Sequence, residues 1–487
     1  MAEKAIPRKP PARIDLARIG VVDIGSNTVR LVIYDVPDRM PVPMFNEKSD
    51  CRLVEGMAET GNLSPAGVER ALKSLRRFVR LADAMGVITL DLVATAAVRE
   101  ANDGDAFVEH IQAEFGIKVS VLSGAEEAEL SAIGLITGVP DADGILGDLG
   151  GGSLDLVGLN KGTCETFGTL PLGHVRIAEH IARAAWLRQS PGRNLYLSGG
   201  IMRNIARVFI EQTGYPLHVV DNYSIRHNDA LRLSRLLAGL SASTLKKIPA
   251  ISPSRIKSIP FAAEVLAHLI ETVKPENVIF SGFGMREGQM LKRLPEALRH
   301  QDPLIAGAES LAERTGRFSL NGHEIADWLI PLFPEATEAD KRRTLAACLL
   351  SDIGWNEHPD YRAEHAFYRC LRLPYAGLSH ADRVSIAAMV YVRYNGNSSA
   401  PLVTTVRSLL AEDQLSKVDG IGRAIRLAHT LSGSAPGLLV QTKLERKAKT
   451  LVLHMPGSSG VFQSETVERR FRGLSKCLGL RGSISLK

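Results

Sequence analysis

The chain has 487 residues, a formal net charge of +6, 45% hydrophobic and 23% charged residues. That length passes the ~250–300 residues at which one core stops growing, so a single compact domain is excluded, and the residue balance excludes a disordered or fibrous chain. Apolar runs fall short of the ~18 residues of a membrane helix, and the Pro-rich, basic start from Met1 to Arg18 lacks the apolar stretch of a signal peptide, so a cytoplasmic protein without a transmembrane segment is expected.

In chain order, the first strong signal is an apolar strand from Val21 that ends at Asp23-Ile24, a Gly25-Ser26-Asn27-Thr28 turn, and a second apolar strand to Ile33. Ser64-Pro65 then supplies an N-cap and a first-turn proline. Val68, Leu72, Leu75, Val79 and Ala82 form one stripe, and Gly86 ends the helix. Val87 to Ala94 reads as a strand, Ala106 to Phe115 as a helix, Ile117 to Leu122 as a strand and Glu126 to Ile136 as a helix. Residues Ile145 to Val157 repeat the opening hairpin, with Asp148, the small-residue turn Gly150-Gly151-Gly152-Ser153 and an apolar strand leaving it. Strands near Asn194 to Leu197 and Asn277 to Phe280, with helices near Met202 to Glu211 and Phe261 to Val273, continue the alternation. The expected fold is therefore α/β, with one lobe over 14–136 and a second over 137–304, each opened by the same hairpin.

From Leu304 to Ser432 helical periodicity dominates, clearest over Thr344 to Ile353 and Arg383 to Tyr394, which predicts a helical domain over 305–435. Ser432 to Gly437 reads as a linker; beyond it Leu438 to Leu444 and Thr450 to His454 read as strands and Thr466 to Leu478 as a helix, a small basic α+β domain over 436–487. From Gly437 to Lys487 there are ten Lys or Arg against three Glu, a net +7, so the rest of the chain sums to −1. Such a tail points to an acidic partner or to a solvated basic face. Cys51, Cys164, Cys348, Cys370 and Cys477 lie far apart without C-x-x-C spacing, which predicts reduced thiols rather than a disulfide framework or a zinc site.

The paired hairpins carry the chemistry. Glycines at a tight turn let backbone N–H groups converge on an anion, a Ser or Thr hydroxyl adds a donor, and the Asp can hold a hydrated cation against the phosphate. Two such turns heading two lobes place Gly25, Ser26, Asn27 and Thr28 opposite Gly150, Gly151, Gly152 and Ser153 across a cleft. The chain has no G-x-x-x-x-G-K-[ST] and no G-x-G-x-x-G heading a βαβ unit, which removes P-loop enzymes and simple dinucleotide binding. Ser123-Gly124-Ala125-Glu126-Glu127 opens a helix with two carboxylates that point ~100° apart, so at most one faces the loops; the first, nearer the strand end, is expected to be the general base. Arg99, at a strand end, is expected to bind the transferred phosphoryl group.

These motifs, together with Ala94-Thr95, Ser198-Gly199-Gly200 and Ser281 to Gly288, resemble the exopolyphosphatase and guanosine pentaphosphate phosphohydrolase family, within the actin-like ATPase and sugar kinase superfold. The resemblance implies two actin-like, ribonuclease H-like lobes around a cleft, a helical HD-like domain and a homodimer. It implies Glu126 as the base, Asp23 and Asp148 about a Mg²⁺ ion, both hairpins on the terminal phosphate and Arg99 as phosphate-binding arginine. Where an HD metal site has His-Asp, this chain has Ser351-Asp352, so His358, His365 and His380 are expected to be ordinary surface or packing residues. The implied reaction is release of terminal orthophosphate from inorganic polyphosphate. Hydrolysis of guanosine pentaphosphate at the same site and a non-enzymatic actin-like nucleotide-binding scaffold are the alternatives, and no specific nucleic-acid partner is implied. A polyphosphate track is expected over Lys443, Arg446, Lys447 and Lys449 on the strand pair and over Arg469, Arg472 and Lys476, which share one helical face.

Overall fold

The computed structural model describes residues 18–35, 39, 42–150, 153–171, 179, 181, 183–189, 192–317, 322–457 and 460–486. The chain divides into two compact units: the first takes the chain to Phe209 and again from Ser224 to His300, and the second takes Ile210–Tyr223 together with everything from Gln301.

The first unit holds two sheets. One contains β1 (Arg18–Ile24), β2 (Thr28–Asp35), β3 (Val42–Asp50), β4 (Val87–Ala94) and β5 (Val119–Val121) in the order β3-β2-β1-β4-β5. The other contains β6 (Gly144–Leu149), β7 (Ser153–Asn160), β8 (Thr163–Pro171), β9 (Asn194–Ser198), β10 (Tyr223–Arg226) and β11 (Asn277–Phe280) in the order β10-β11-β9-β6-β7-β8. In each sheet a hairpin pairs antiparallel while the inner strand of that hairpin also pairs parallel to a later strand, β1 with β4 and β6 with β9. The α/β expectation and the repeated hairpin both hold.

Local chemistry explains the elements that position the cleft. Ser64 accepts from the Gly67 amide at 3.2 Å to start the helix Pro65–Ala84, whose Ala71, Leu75, Phe78 and Ala82 face the first sheet's core with Val22, Ile24, Leu31 and Leu92. The other face of that sheet packs Val21, Val32 and Val93 against Leu130 of the helix Gly124–Gly138 and Met290, Leu291 and Leu294 of the helix Met285–Lys292 and the turn after it. Those two helices meet at glycines: a Cβ on Gly288 would stand 1.9 Å from the Leu130 carbonyl oxygen, and one on Gly134 would stand 2.3 Å from that of Gly284. Any larger residue there would push the helices apart.

The second unit is mainly helical, with helices Pro303–Thr315, Glu338–Leu349, Arg362–Leu371, His380–Arg393, Glu412–Ser432 and Glu465–Cys477 among others, plus a sheet of β12 (Lys443–Lys447), β13 (Thr450–Met455) and β14 (Arg481–Leu486). Arg383, 1% exposed, donates to the carbonyls of Leu373 and Tyr375 and faces Asp221 at 3.9 Å. His380 is buried, with Nδ1 at 2.8 Å from the Tyr215 hydroxyl and Nε2 at 3.0 Å from the Asp221 carbonyl; burial pushes its pKa down to about 4. It is a neutral packing residue, whereas His358 and His365 are exposed. The strand expected over Leu438 to Leu444 is instead a 3₁₀ turn at Leu439–Gln441 followed by β12, because the Thr442 amide and hydroxyl both donate to the Leu439 carbonyl and close a turn. Helix Glu465–Cys477 lies where expected and buries Val467, Phe471 and Leu474. The five cysteines are free.

Candidate active site

The repeat seen in the sequence is a repeat in hydrogen bonding. In the first hairpin the Gly25 amide donates to the Thr28 carbonyl at 3.0 Å, and in the second the Gly150 amide donates to the Ser153 carbonyl at 2.9 Å. The carbonyls of Ser26 and Asn27 accept from Val54 and from Cys51 and Arg52, which fixes the first loop against the segment after β3. Gly25, Ser26, Asn27, Thr28, Gly150 and Ser153 all line one cleft of about 570 Å³ in the first unit. Gly151 and Gly152 lie outside the described residues.

Asp23 and Asp148 also line that cleft. Ladder register places Asp23 opposite Arg30 and Asp148 opposite Asp155. Asp148 accepts from the Ser131 hydroxyl at 2.5 Å, and Asp23 is bonded by Arg286 Nη1 at 3.2 Å. Burial raises the Asp23 pKa, Arg286 and Arg30 oppose that shift, and Asp148 adds to it. The two aspartates are therefore electrostatic neighbours. Among the described residues no three His, Cys, Asp or Glu side chains gather as a metal cage. Two hard carboxylates in a phosphate cleft do fit a hydrated magnesium, which binds through one or two carboxylates plus substrate phosphates rather than an all-protein cage.

Position separates the two glutamates of the general-base expectation. Glu126 is spent on its own helix: its carboxylate accepts from the Ser123 amide and hydroxyl at 2.8 Å each while the Ser123 hydroxyl accepts from the Glu126 amide, a capping box. Those bonds hold its pKa below the usual carboxylate value, and it does not line the cleft. Glu127 does. It is buried, its Oε1 accepts from Arg99 Nη1 at 2.5 Å, and burial lifts its pKa to about 7 against the lowering by Arg99. Asp155, which accepts from the Thr169 hydroxyl at 2.8 Å, is likewise raised by burial to about 7.

Arg99 lies beside Glu127. It bonds Glu127 and the Leu122 carbonyl, at 2.5 Å each, and is not among the cleft-lining residues. The cations that line the cleft are Arg30, Lys48, Arg52, Arg203, Arg255, Lys257 and Arg286. The half-buried Arg203 is pulled down to about 10, chiefly by desolvation, and remains charged at neutral pH. Of these Arg30 and Arg286 lay in motifs singled out from sequence, though neither was named as a site residue. Glu127 could have been found: Ser-x-x-Glu spacing from Ser123 to Glu126 is itself the signature of a cap and marks the other glutamate as the free one.

In the second unit eight of the ten basic residues of the tail sit on β12, the turn after it and helix Glu465–Cys477. Lys443, Lys447, Lys449, Arg469, Arg472 and Lys476 are exposed, Arg446 donates to the Leu332 carbonyl, and Arg470 bonds the Thr430 hydroxyl. Sequence reasoning missed that Arg423 and Arg426 of helix Glu412–Ser432 join Arg469 and Arg470: Arg426 is lowered to about 10 by burial and by Arg470, Arg393, Arg423 and Arg469.

Two glycine-bearing hairpins, a buried carboxylate near neutrality and seven cations line one cleft of this α/β unit, a lining suited to phosphate esters or anhydrides. The chain belongs to the Ppx/GppA phosphatase family, whose sequence model it matches over residues 32–297; residues 304–484 match the family described as "Exopolyphosphatase, C-terminal". It is 27% identical over 308 residues to "Exopolyphosphatase 1" of Mycobacterium leprae, covering 57% of this chain and 89% of that one. It is 23% identical over 412 residues to "Guanosine-5'-triphosphate,3'-diphosphate pyrophosphatase" of Pseudoalteromonas atlantica, covering 79% and 80%. The solved structure of an exopolyphosphatase from Cytophaga hutchinsonii superposes with a TM-score of 0.52 at 24% identity, over 57% of this chain and 99% of that one, which establishes the shared fold.

Proposed function

We propose that this phosphatase releases terminal orthophosphate from inorganic polyphosphate with Glu127 as general base. The observation that carries the reading is Glu127 itself, a carboxylate buried in the cleft between the hairpins and held near pKa 7, where a base must sit to act at neutral pH. Arg99 grips Oε1 and so acts as a positioning residue. Water bound beside the other oxygen gives its proton to Glu127 as its oxygen attacks the terminal phosphorus in line, and the shortened chain departs with the electrons of the broken P–O bond. Loop amides and the Ser26, Thr28 and Ser153 hydroxyls hold the equatorial oxygens, while Arg30, Arg203 and Arg286 offset the charge that spreads over them. Asp148 and Asp23 would hold a bound Mg²⁺, which supplies charge neutralisation at the phosphates.

Hydrolysis of guanosine pentaphosphate uses the same terminal bond, and the relative from Pseudoalteromonas keeps it as the second reading. Incubating the pure protein separately with polyphosphate, guanosine pentaphosphate and ATP, and measuring released phosphate, decides between them and the scaffold alternative. The proposal includes the four-part division at 136, 304 and 435, cytoplasmic action and a homodimer; among the described residues no helix is long and apolar enough to cross a membrane. It also includes the tail as a polyphosphate-holding surface, supported by the four clustered arginines 423, 426, 469 and 470, none of which has a carboxylate within ion-pair distance among the described residues.

A further inference from the structure

The cleft is electrostatically divided. Asp23, Glu127, Asp148 and Asp155 feel one another at the hairpin end. Four of the seven cations that line the cleft already have side-chain partners: Arg30 bonds Asn46, Lys48 pairs with Asp50 at 2.8 Å, Arg203 reaches the Gly282 carbonyl, and Arg286 bonds Asp23. Arg52, Arg255 and Lys257 remain. Among the described residues none of these three side chains has a hydrogen-bond or ion-pair partner, although all three line the cleft. Guanidinium and ammonium groups that line a cavity without a protein partner are available to hydrogen-bond an anion that enters it.

Their placement is built. Ser252 bonds Asn204 of helix Gly200–Thr213, Pro253 starts a 3₁₀ turn through Arg255, and the Arg255 carbonyl accepts from both the amide and the hydroxyl of Ser258. The turn thus fixes Arg255 between Ser254 and Lys257 on the cleft wall. A Cβ on Gly199 would stand 2.7 Å from Asp148 Oδ1, and one on the next residue, Gly200, would stand 3.0 Å from Arg255 Nη2. Two successive glycines therefore let the backbone pass close to both the Asp148 carboxylate and the Arg255 guanidinium. Arg52 follows β3: its amide bonds the Asn27 carbonyl of the first phosphate loop, two residues past Asp50, the charged neighbour that Arg255 feels. Phe261 is the one aromatic residue among the described lining, so a purine base finds little to stack on.

We propose that Arg52, Arg255 and Lys257 form a second anion subsite that grips the phosphate units behind the one being removed, selecting a linear polyphosphate chain over a nucleoside polyphosphate. This rests on reading the cleft as a phosphoanhydride hydrolase. A chain presents a charge at every unit that reaches the three cations; ATP presents two phosphates behind the terminal one and then an uncharged ribose.

The test compares wild type with Arg255→Ala/Lys257→Ala and with Arg52→Ala, using long-chain polyphosphate and ATP, the latter as substrate or as competitive inhibitor, with thermal melting to confirm folding and Gln replacing Ala where it fails. The expected result is a KM for long polyphosphate raised tenfold or more, with the KM or inhibition constant for ATP raised less than threefold. An unchanged long-chain KM, or equal rises for both substrates, overturns the subsite. Calorimetric binding of tripolyphosphate to Glu127→Gln protein, with and without Arg255→Ala, reads the subsite without turnover: at least tenfold weaker binding is expected, and equal affinity refutes it. Wild type that releases no phosphate from either substrate defeats the hydrolase reading instead, and the binding arm still judges the subsite.

Discussion

Replacing Glu127 by Gln removes the proton acceptor but keeps the shape of the side chain. A positioned base contributes about 10²–10⁴-fold, equivalent to about 3–5 kcal/mol of barrier, so turnover on polyphosphate should fall by that factor. Substrate affinity should hold, because the hairpins and cleft cations stay in place. Glu126→Gln is the matched control: it weakens a capping box on the helix Gly124–Gly138 and should cost about 1 kcal/mol of stability or less, with turnover within threefold of wild type. The pH profile adds a second reading. With a pKa of about 7 the base is ionised in about one tenth of molecules at pH 6 and about nine tenths at pH 8, so kcat should climb across that interval and then level. Arg99 opposes the raised pKa, so Arg99→Met should move the acid limb to higher pH. Phosphate release from labelled polyphosphate in single-turnover format isolates the chemical step. Near-normal turnover in Glu127→Gln, with the loss appearing in Glu126→Gln, would refute the reasoning.

Chelating magnesium should abolish turnover, and Asp148→Ala should raise the magnesium concentration for half-maximal rate by tenfold or more; full activity in excess chelator would contradict this. Charge reversal at Arg469 and Arg472 should raise the KM for long polyphosphate at low salt and leave pyrophosphate-sized substrates unaffected; unchanged KM would end the tail proposal. Point changes are preferred to removing the tail, since Val467, Phe471 and Leu474 are core residues of the second unit. Asp340 caps its helix through Thr337 and pairs with Arg343 and Lys417, which hold it well below the usual carboxylate range. Its stabilisation is complete above the unfolded value near ~4 and lost as pH falls through the folded one, so Asp340→Ala should cost about 2–4 kcal/mol at pH 7 and less in acid, read by urea melts at both pH values.

Much of the fold was legible because its strongest periodicities are buried ones. Strands such as Val87–Ala94 and helices such as Pro65–Ala84 show apolar patterns bounded by caps and glycines, and they appear within a residue or two of expectation. Strands β3, β8 and β14 escaped because they pair along one edge only and carry residues such as Asn46, Lys48, Glu165 and Ser483, whose polar character gives no apolar alternation. The hairpins were legible as local motifs. The cations around them were not, since Arg203, Arg255 and Lys257 lie far along the chain from either loop and only the tertiary fold brings them to one cavity.

The borrowed segment Ile210–Tyr223 has a consequence for biosynthesis. Its Tyr215 hydroxyl, Asp221 carbonyl and Asn222 amide bond His380 and the Leu378 carbonyl, residues made more than 150 positions later. On the ribosome the segment therefore emerges long before its partners and must wait, its aromatic rings uncovered, until helix His380–Arg393 has been synthesised. A nascent chain stopped after the first unit is consequently a different physical object from that unit in the finished protein, with a sticky patch that only the complete polypeptide conceals.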